Sequence, residues 1–187
     1  MLSLRPFLFA LVLGGGALAA AVAPALVQDP VEPTEQHAML QAGAGRWEGT
    51  MTMYMPGMEP FEVPARETVE AFGDYWTFAR FDADFPGVPY AGRGCFGYDP
   101  EERKFVGTWY DVQSPHLAVM EGEWDEAKKA LVMRWEAPGA SGELVPYRSV
   151  RAGDADSYTQ TFYLGPGEGR KAMVIEMERV AKAKGDK

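Results

Sequence analysis

The side chains that could carry chemistry in this chain are few and widely separated. There are two histidines, His37 and His116, and one cysteine, Cys95. A catalytic triad needs a histidine aligned on a nucleophile, and a zinc site needs closely spaced Cys and His ligands. The sequence has neither pattern, and it has no Gly-x-Ser-x-Gly motif or phosphate-binding glycine loop. We therefore predict no catalytic residue and no cofactor.

Methionines form the sharpest local pattern. Met51, Met53 and Met55 alternate along one stretch, and Met58 follows in the next turn. Thioethers are soft ligands that select Cu(I), so the cluster is consistent with a copper site. Methionine also fills irregular space in a protein core, and core packing is the alternative interpretation.

Several aspartates are better explained as turn residues than as acid–base catalysts. Residues 98–105 and 124–131 align without a gap: each begins with an aromatic residue followed by Asp99 or Asp125. Aspartate at such a position accepts hydrogen bonds from backbone N–H groups one or two residues further on. Each stretch therefore predicts a β-hairpin connection. Asp111 differs, because it shares a strand face with Trp109 and is expected at the rim of an interior.

The elements that must position these residues are mostly strands. Residues 34–41 predict a short helix capped by Thr34, and after Gly45 apolar residues recur with the period of two that indicates strands. Ten such runs follow, separated by turn-forming residues. The predicted fold is all-β: an up-and-down antiparallel barrel of about ten strands over residues 34–180, with a short N-terminal helix and a polar tail at 181–187.

The first segment has the composition of a secretory signal peptide. Arg5 is followed by a long run of Leu, Ala, Phe, Val and Gly that ends in small residues. We predict a signal peptide over residues 1–25, a linker over 26–33, and export to the bacterial periplasm or medium with no stable membrane insertion after cleavage. A membrane anchor is the alternative.

The charge balance excludes one class of partner. The chain has 18 basic and 27 acidic residues, for a formal net charge of −9. Phosphate contacts need a basic face, so nucleic-acid binding is not expected. The oligomeric state is left open.

One group of motifs resembles a known family. These are Gly45-Arg-Trp-Glu-Gly49, Gly92-Arg-Gly94 and Lys104-Phe-Val-Gly-Thr-Trp-Tyr-Asp111. Together they resemble the bacterial DUF1579 family, which implies an often exported, lipocalin-like barrel without an established activity. Arg93, between its two glycines, departs from the usual pattern. The Gly-x-Trp at the first strand also resembles the calycin group, which implies that Arg179 stacks on Trp47; a solvated surface arginine is the alternative.

These observations predict a barrel that binds a small, mostly apolar molecule without catalysis. The alternative is an interaction or structural module that has no ligand cavity. Alternation along the strands does not decide which face is interior, so the candidate ligand-binding residues are taken from both the aromatic and the polar positions. They are Trp47, Tyr90, Arg93, Phe105, Trp109, Asp111, Trp135 and Phe162.

Overall fold

The computed structural model describes residues 31–139 and 141–181. The predicted signal peptide, most of the linker and nearly all of the polar tail lie outside these residues. One helix and ten strands follow each other along the chain. They are α1 (Glu35–Ala42), β1 (Gly45–Met53), β2 (Phe61–Phe72), β3 (Trp76–Ala83), β4 (Tyr90–Asp99), β5 (Lys104–Asp111), β6 (Ser114–Asp125), β7 (Ala130–Pro138), β8 (Leu144–Gly153), β9 (Ser157–Leu164) and β10 (Arg170–Arg179).

The strands form one closed antiparallel barrel. Each strand pairs with its neighbours in sequence, and β1 pairs with β10 to close the sheet. The predicted ten-stranded up-and-down barrel with an N-terminal helix is confirmed. Closure pairs every strand on both sides along at least part of its length, which limits the exposed edges that would otherwise be sites for aggregation.

Burial in the structure shows which of the two alternating faces of each strand is interior. On β2, Val63, Ala65 and Val69 are buried while the residues between them are mostly exposed. The strand registers place inward residues of neighbouring strands opposite each other, as for Phe81 on β3 and Gly92 on β4. The interior is therefore built from every second residue of each strand.

Helix α1 closes one end of the barrel, which we call the helix end. His37 on this helix is buried, and both of its ring nitrogens have partners. Nδ1 lies 3.0 Å from the backbone N of Thr34, and Nε2 lies 3.1 Å from the carbonyl oxygen of Tyr98 on β4. The first contact fits an acceptor and the second a donor, so a neutral ring hydrogen-bonded on both sides fixes the helix to the sheet.

Arg179 completes the closure of the helix end. Its guanidinium carbon lies 4.1 Å from the centre of a Trp47 ring, so the predicted stacking is confirmed. The same guanidinium donates to the carbonyl oxygens of Ala42 and Ala44, at 2.9 and 2.7 Å. It also donates to Ala155 in the β8–β9 turn. One side chain thus joins the end of the helix, the first strand and a distant turn.

The opposite end, which we call the mouth, has no helix across it among the described residues. There the contact between β6 and β7 is incomplete. Their paired residues run from Asp125–Ala130 at the helix end to Glu121–Arg134, so the mouth halves of both strands lie beyond the ladder. His116 Nε2 lies 3.3 Å from the carbonyl oxygen of Glu136 across this opening.

Among the residues described, no helix has the length and apolar character needed to cross a membrane.

Candidate ligand-binding mouth

Inward-facing aromatic side chains ring the mouth and are only partly buried. They come from strands on several sides of the barrel or from the loops next to them, and most of them pack against the buried core clusters while part of their surface stays exposed. These residues are Phe61, Phe85, Tyr90, Trp109, Trp135, Tyr147 and Phe162.

Three of the predicted residues meet in one hydrogen-bonded chain. Trp109 Nε1 donates to the Tyr90 hydroxyl at 3.1 Å, and that hydroxyl donates to Asp111 Oδ2 at 3.4 Å. Burial raises the pKa of Tyr90, and the Asp111 charge raises it further. The tyrosine therefore stays protonated at neutral pH and remains a donor to Asp111.

Asp111 also has a local structural function. Its Oδ1 accepts a hydrogen bond from the backbone N–H of Gln113 at 2.8 Å, in the turn that leads to β6. The carboxylate is thereby held at the rim of the mouth, where we expected it from the sequence. Its position puts a negative charge beside the aromatic lining.

Trp135 and Phe162 form a second group across the mouth. Their rings meet edge to face, with centroids 6.2 Å apart. Trp135 also stacks on Tyr147 with an interplanar angle of 15° and a centroid distance of 5.4 Å. Offset or edge-to-face pairs of this kind fix ring orientations, so this wall presents a stable apolar surface.

Glycines beneath Trp109 determine where its ring lies. Gly92 and Gly94 face the interior, and a Cβ at either position would overlap the Trp109 indole. Gly107 is similarly covered by the ring of Phe96. These glycines therefore let aromatic rings lie flat against the sheet, where larger residues would push the rings into the lumen.

Two predicted residues lie at the helix end and do not contribute to the mouth. Trp47 is 2% exposed and packs edge to face on Tyr158, with ring centroids 5.1 Å apart. Phe105 is equally buried, in a cluster with Met120 and Met133. Both are core residues, because α1 covers the end of the barrel where β1 and β5 begin.

Arg93 was predicted to bind a ligand, but it lies on the outer face of the barrel. It pairs in register with the exposed Arg80, one residue out of phase with the inward positions Gly92 and Gly94. Its guanidinium bonds the Asp82 carboxylate at 3.3 Å and the Gly92 carbonyl oxygen at 2.7 Å. It cannot reach a ligand inside the barrel.

The predicted methionine cluster divides between two environments. Met51 is buried in the core opposite Ile175, and Met53 faces inward opposite Met173. Met55 and Met58 are exposed in the turn after β1. Core packing explains the first pair, and Cu(I) binding stays a prediction.

A buried polar group that the sequence interpretation missed lies inside the helix half. Glu67 is 7% exposed and faces inward between Ala65 and Val69. Tyr158 donates to its Oε2 at 2.7 Å, and the Arg151 guanidinium approaches the same oxygen at 3.4 Å. Its signal in the sequence is a single acid in an otherwise apolar alternating row.

Arg151 and Glu67 both act on Tyr158. The Arg151 guanidinium carbon lies 3.6 Å from the centre of the Tyr158 ring. Burial raises the pKa of Tyr158, and so does the neighbouring charge of Glu67, while the Arg151 charge lowers it. These three side chains satisfy one another, so they form a structural network of the core.

An open groove of about 910 Å³ lies where β6 and β7 separate. Leu117, Val119 and Leu144 supply apolar lining, and Trp135 and Tyr147 border it from the mouth. The groove therefore connects the aromatic wall of the mouth with the outside of the barrel.

Within residues 31–139 and 141–181, no group of three or more His, Cys, Asp or Glu side chains is arranged to hold a metal ion.

Comparisons with known proteins agree with this architecture. The family model described as "Protein of unknown function (DUF1579)" matches residues 32–179. Among solved structures, a crystal structure of Rv2717c from M. tuberculosis is similar, with a TM-score of 0.58 and 11% identity over 80% of this chain and 100% of that chain. At this identity the likeness concerns the fold alone. No curated protein matches the sequence significantly.

Proposed function

The chain belongs to the DUF1579 family, and from that premise we propose that it is an exported barrel that binds a small, mostly apolar molecule at its mouth without catalysis. The observation that carries this proposal is the contrast in burial among inward-facing aromatics. In the helix half, Trp47, Phe105 and Tyr158 are buried, although Tyr98 and Trp124 are partly exposed, whereas none of the seven aromatic residues at the mouth is buried. Small-molecule sites typically combine an apolar, aromatic lining with a few fixed polar groups, and the mouth has both.

The polar groups narrow the class of ligand. Asp111 places a carboxylate beside Tyr90 and Trp109, and the whole chain is acidic. A carboxylate-bearing ligand would be repelled at this point, since like charges disfavour each other most strongly where water is partly excluded. We therefore expect a neutral or cationic apolar ligand, with Asp111 accepting a hydrogen bond from a donor group of that ligand.

A dye titration tests the site directly. Nile red is uncharged and apolar, so its fluorescence should increase when it enters the mouth. Trp135→Ala and Phe162→Ala are each expected to weaken dye binding about tenfold, as loss of an aromatic contact of 1–2 kcal/mol would do.

The matched control is Phe72→Ala, which removes an exposed aromatic from the outer face of β2. It should leave the affinity for Nile red unchanged. Equal losses of Nile red affinity in the mouth variants and in the control would exclude the mouth as a binding site. The absence of any saturable dye binding would exclude it as well.

A second experiment addresses the native ligand and export together. Native mass spectrometry of protein purified from its own host should give a mass for a chain cleaved after residues 21–25, plus a bound species below about 1 kDa. An intact N-terminus in the host would contradict export, and it would leave the binding proposal to the dye titration.

A further inference from the structure

The outer wall formed by β2 to β6 carries an unusual apolar surface. Its large exposed side chains all point away from the interior, because they alternate with buried inward residues such as Ala79 and Ala118. We call this surface the outer apolar face. Its principal residues are Phe72, Trp76, Phe78, Tyr110, Leu117 and Val119.

The strand registers make this face continuous. Phe78 lies opposite Cys95, Cys95 opposite Thr108, and Thr108 opposite Val119, so one row crosses four strands. Phe72 extends the row at the β2 edge, with its ring 5.1 Å from that of Phe78. The apolar side chains are therefore neighbours across one wall, and they are not scattered singly over the surface.

Between β3 and β4 the face is smooth. The Trp76 indole lies directly over Gly97, where a Cβ would overlap its ring. A large aromatic side chain is thereby laid along the sheet. The outside of a closed barrel is convex and does not enclose a small molecule, because ligand pockets are concave, but it can pack against another protein surface.

Its area approaches that of a protein–protein interface. The four aromatic residues are between 38% and 60% exposed. At roughly 200 Å² for each aromatic side chain, they leave on the order of 400 Å² accessible. Leu117 and Val119, 52% and 64% exposed, enlarge this area further. The largest apolar patch of a monomer is typically about 300–600 Å², and a standard interface buries about 800 Å² per partner.

Charges lie within the face as well as beside it, because Arg80 and Arg93 share a cross-strand row with Tyr110, and these charges are compatible with a second copy of the chain. Arg80 pairs with Glu70 at 3.8 Å, Arg93 with Asp82 at 3.3 Å, and Lys104 with Glu121 at 2.8 Å. Each cation near the face is thus balanced within its own chain. Two copies of an acidic protein can then approach through this face without bringing unpaired like charges together.

We propose that the outer apolar face of β2 to β6 is the interface of a homodimer in which two copies pack these walls against each other. The same patch serves both copies, as in most two-fold symmetric oligomers. The inward-facing aromatic residues of the mouth take no part in the contact, but Leu117 and Val119 belong both to the outer apolar face and to the groove between β6 and β7.

The test measures the oligomeric state and the accessibility of Cys95 together. Sedimentation velocity over a range of protein concentrations should show a monomer–dimer equilibrium for the wild-type chain. Cys95 lies in the central row, so its rate of alkylation by a maleimide should fall as the dimer forms. Val119→Glu and Phe78→Glu should each weaken association by at least tenfold and make the alkylation rate independent of protein concentration.

The matched control is Thr159→Glu, which adds the same charge at an exposed position on β9, on another wall of the barrel. It should dimerise like the wild-type chain. Circular dichroism of each variant establishes that the barrel has folded, since all three substitutions are at partly or largely solvent-exposed positions.

Two results would overturn the proposal. The first is a wild-type chain that stays monomeric at all concentrations, with a constant alkylation rate. The second is equal weakening by Val119→Glu and Thr159→Glu, which would place the contact elsewhere. Co-sedimentation of a monomeric chain with phosphatidylcholine vesicles would assign the face to a lipid surface and would likewise contradict a dimer.

Discussion

The two ends of the barrel use the same inward alternation for different purposes. At the helix end, Trp47 and Phe105 are completely buried, and the buried Glu67 has a tyrosine and an arginine as partners. At the mouth, Trp109 and Trp135 occupy equivalent inward positions but remain partly accessible. The difference lies in the cover, because α1 and Arg179 seal one end. Whether an inward aromatic belongs to a core or to a binding surface therefore depends on what lies over it.

The turns and loops between the strands also differ between the two ends. Turns at the helix end are organised by aspartates: Asp99, Asp125 and Asp154 each accept backbone N–H groups two or three residues further on. Several connections at the mouth bend at glycines, as at Gly57 and Gly87, which have φ angles of 76° and 81°. The distinction is one of degree, because Asp111 accepts a backbone N–H in the β5–β6 turn at the mouth and Gly73, with a φ of 62°, bends the β2–β3 turn at the helix end.

The largest expected effect is a difference between the two ends in how much an aromatic side chain contributes to the free energy of unfolding. Trp47→Ala should lower the free energy of unfolding by about 3–5 kcal/mol, since it leaves a cavity and removes the surface on which Arg179 stacks. Trp135→Ala at the mouth should cost less than about 2 kcal/mol, because that ring is already partly exposed. Urea denaturation followed by circular dichroism measures both. Similar decreases in the free energy of unfolding for the two variants would show that the mouth belongs to the stabilising core.

A smaller effect is expected from the buried network. Glu67→Leu leaves the Tyr158 hydroxyl without its acceptor, and should reduce the free energy of unfolding by about 2–3 kcal/mol. Glu67→Gln keeps an acceptor for Tyr158 and should cost less. The control is Glu70→Gln, at an exposed position on the same strand. A Glu67→Leu chain as stable as wild type would mean that apolar packing outweighs the ionic network.

The smallest expected effect is a pH dependence at the helix end. Backbone N–H groups of Asp156 and Ser157 hold the pKa of Asp154 below its ordinary value. A lowered folded-state pKa stabilises the protein fully above the unfolded value of about 3.9, and this contribution is lost as the pH falls through the folded value.

Asp154→Asn should therefore lower the urea midpoint near neutral pH, and the difference from wild type should disappear as the pH falls through the lowered pKa of Asp154. Asp74→Asn, in another turn at the helix end, serves as the control for loss of one charge. A gap that stays constant down to acid pH would contradict a stabilising charge on Asp154.

Local patterns in the sequence were sufficient for the fold. Alternation and regularly spaced turns predicted the barrel, and the Gly45-Arg-Trp47 motif with Arg179 predicted the stacking at the helix end. Asp99 and Asp125 were correctly read as turn residues, because an Asx turn is decided by neighbours along the chain.

The site was predicted less completely, because its geometry is non-local. Tyr90, Trp109 and Asp111 were identified and do meet. Arg93 was misplaced, because alternation gives two faces without saying which is inside. The Glu67 network joins residues that are far apart in sequence, so its partners follow only from the strand order and register.

The incomplete ladder between β6 and β7 has a mechanical consequence. All of its paired residues lie in the helix half of the barrel, so the two strands separate towards the mouth. A cylinder that is slit at one rim can widen there without stretching the rest of its circumference. Widening the mouth at this junction would break few backbone hydrogen bonds, and we therefore expect ligands of different sizes to fit the proposed site while the helix end keeps its pairing.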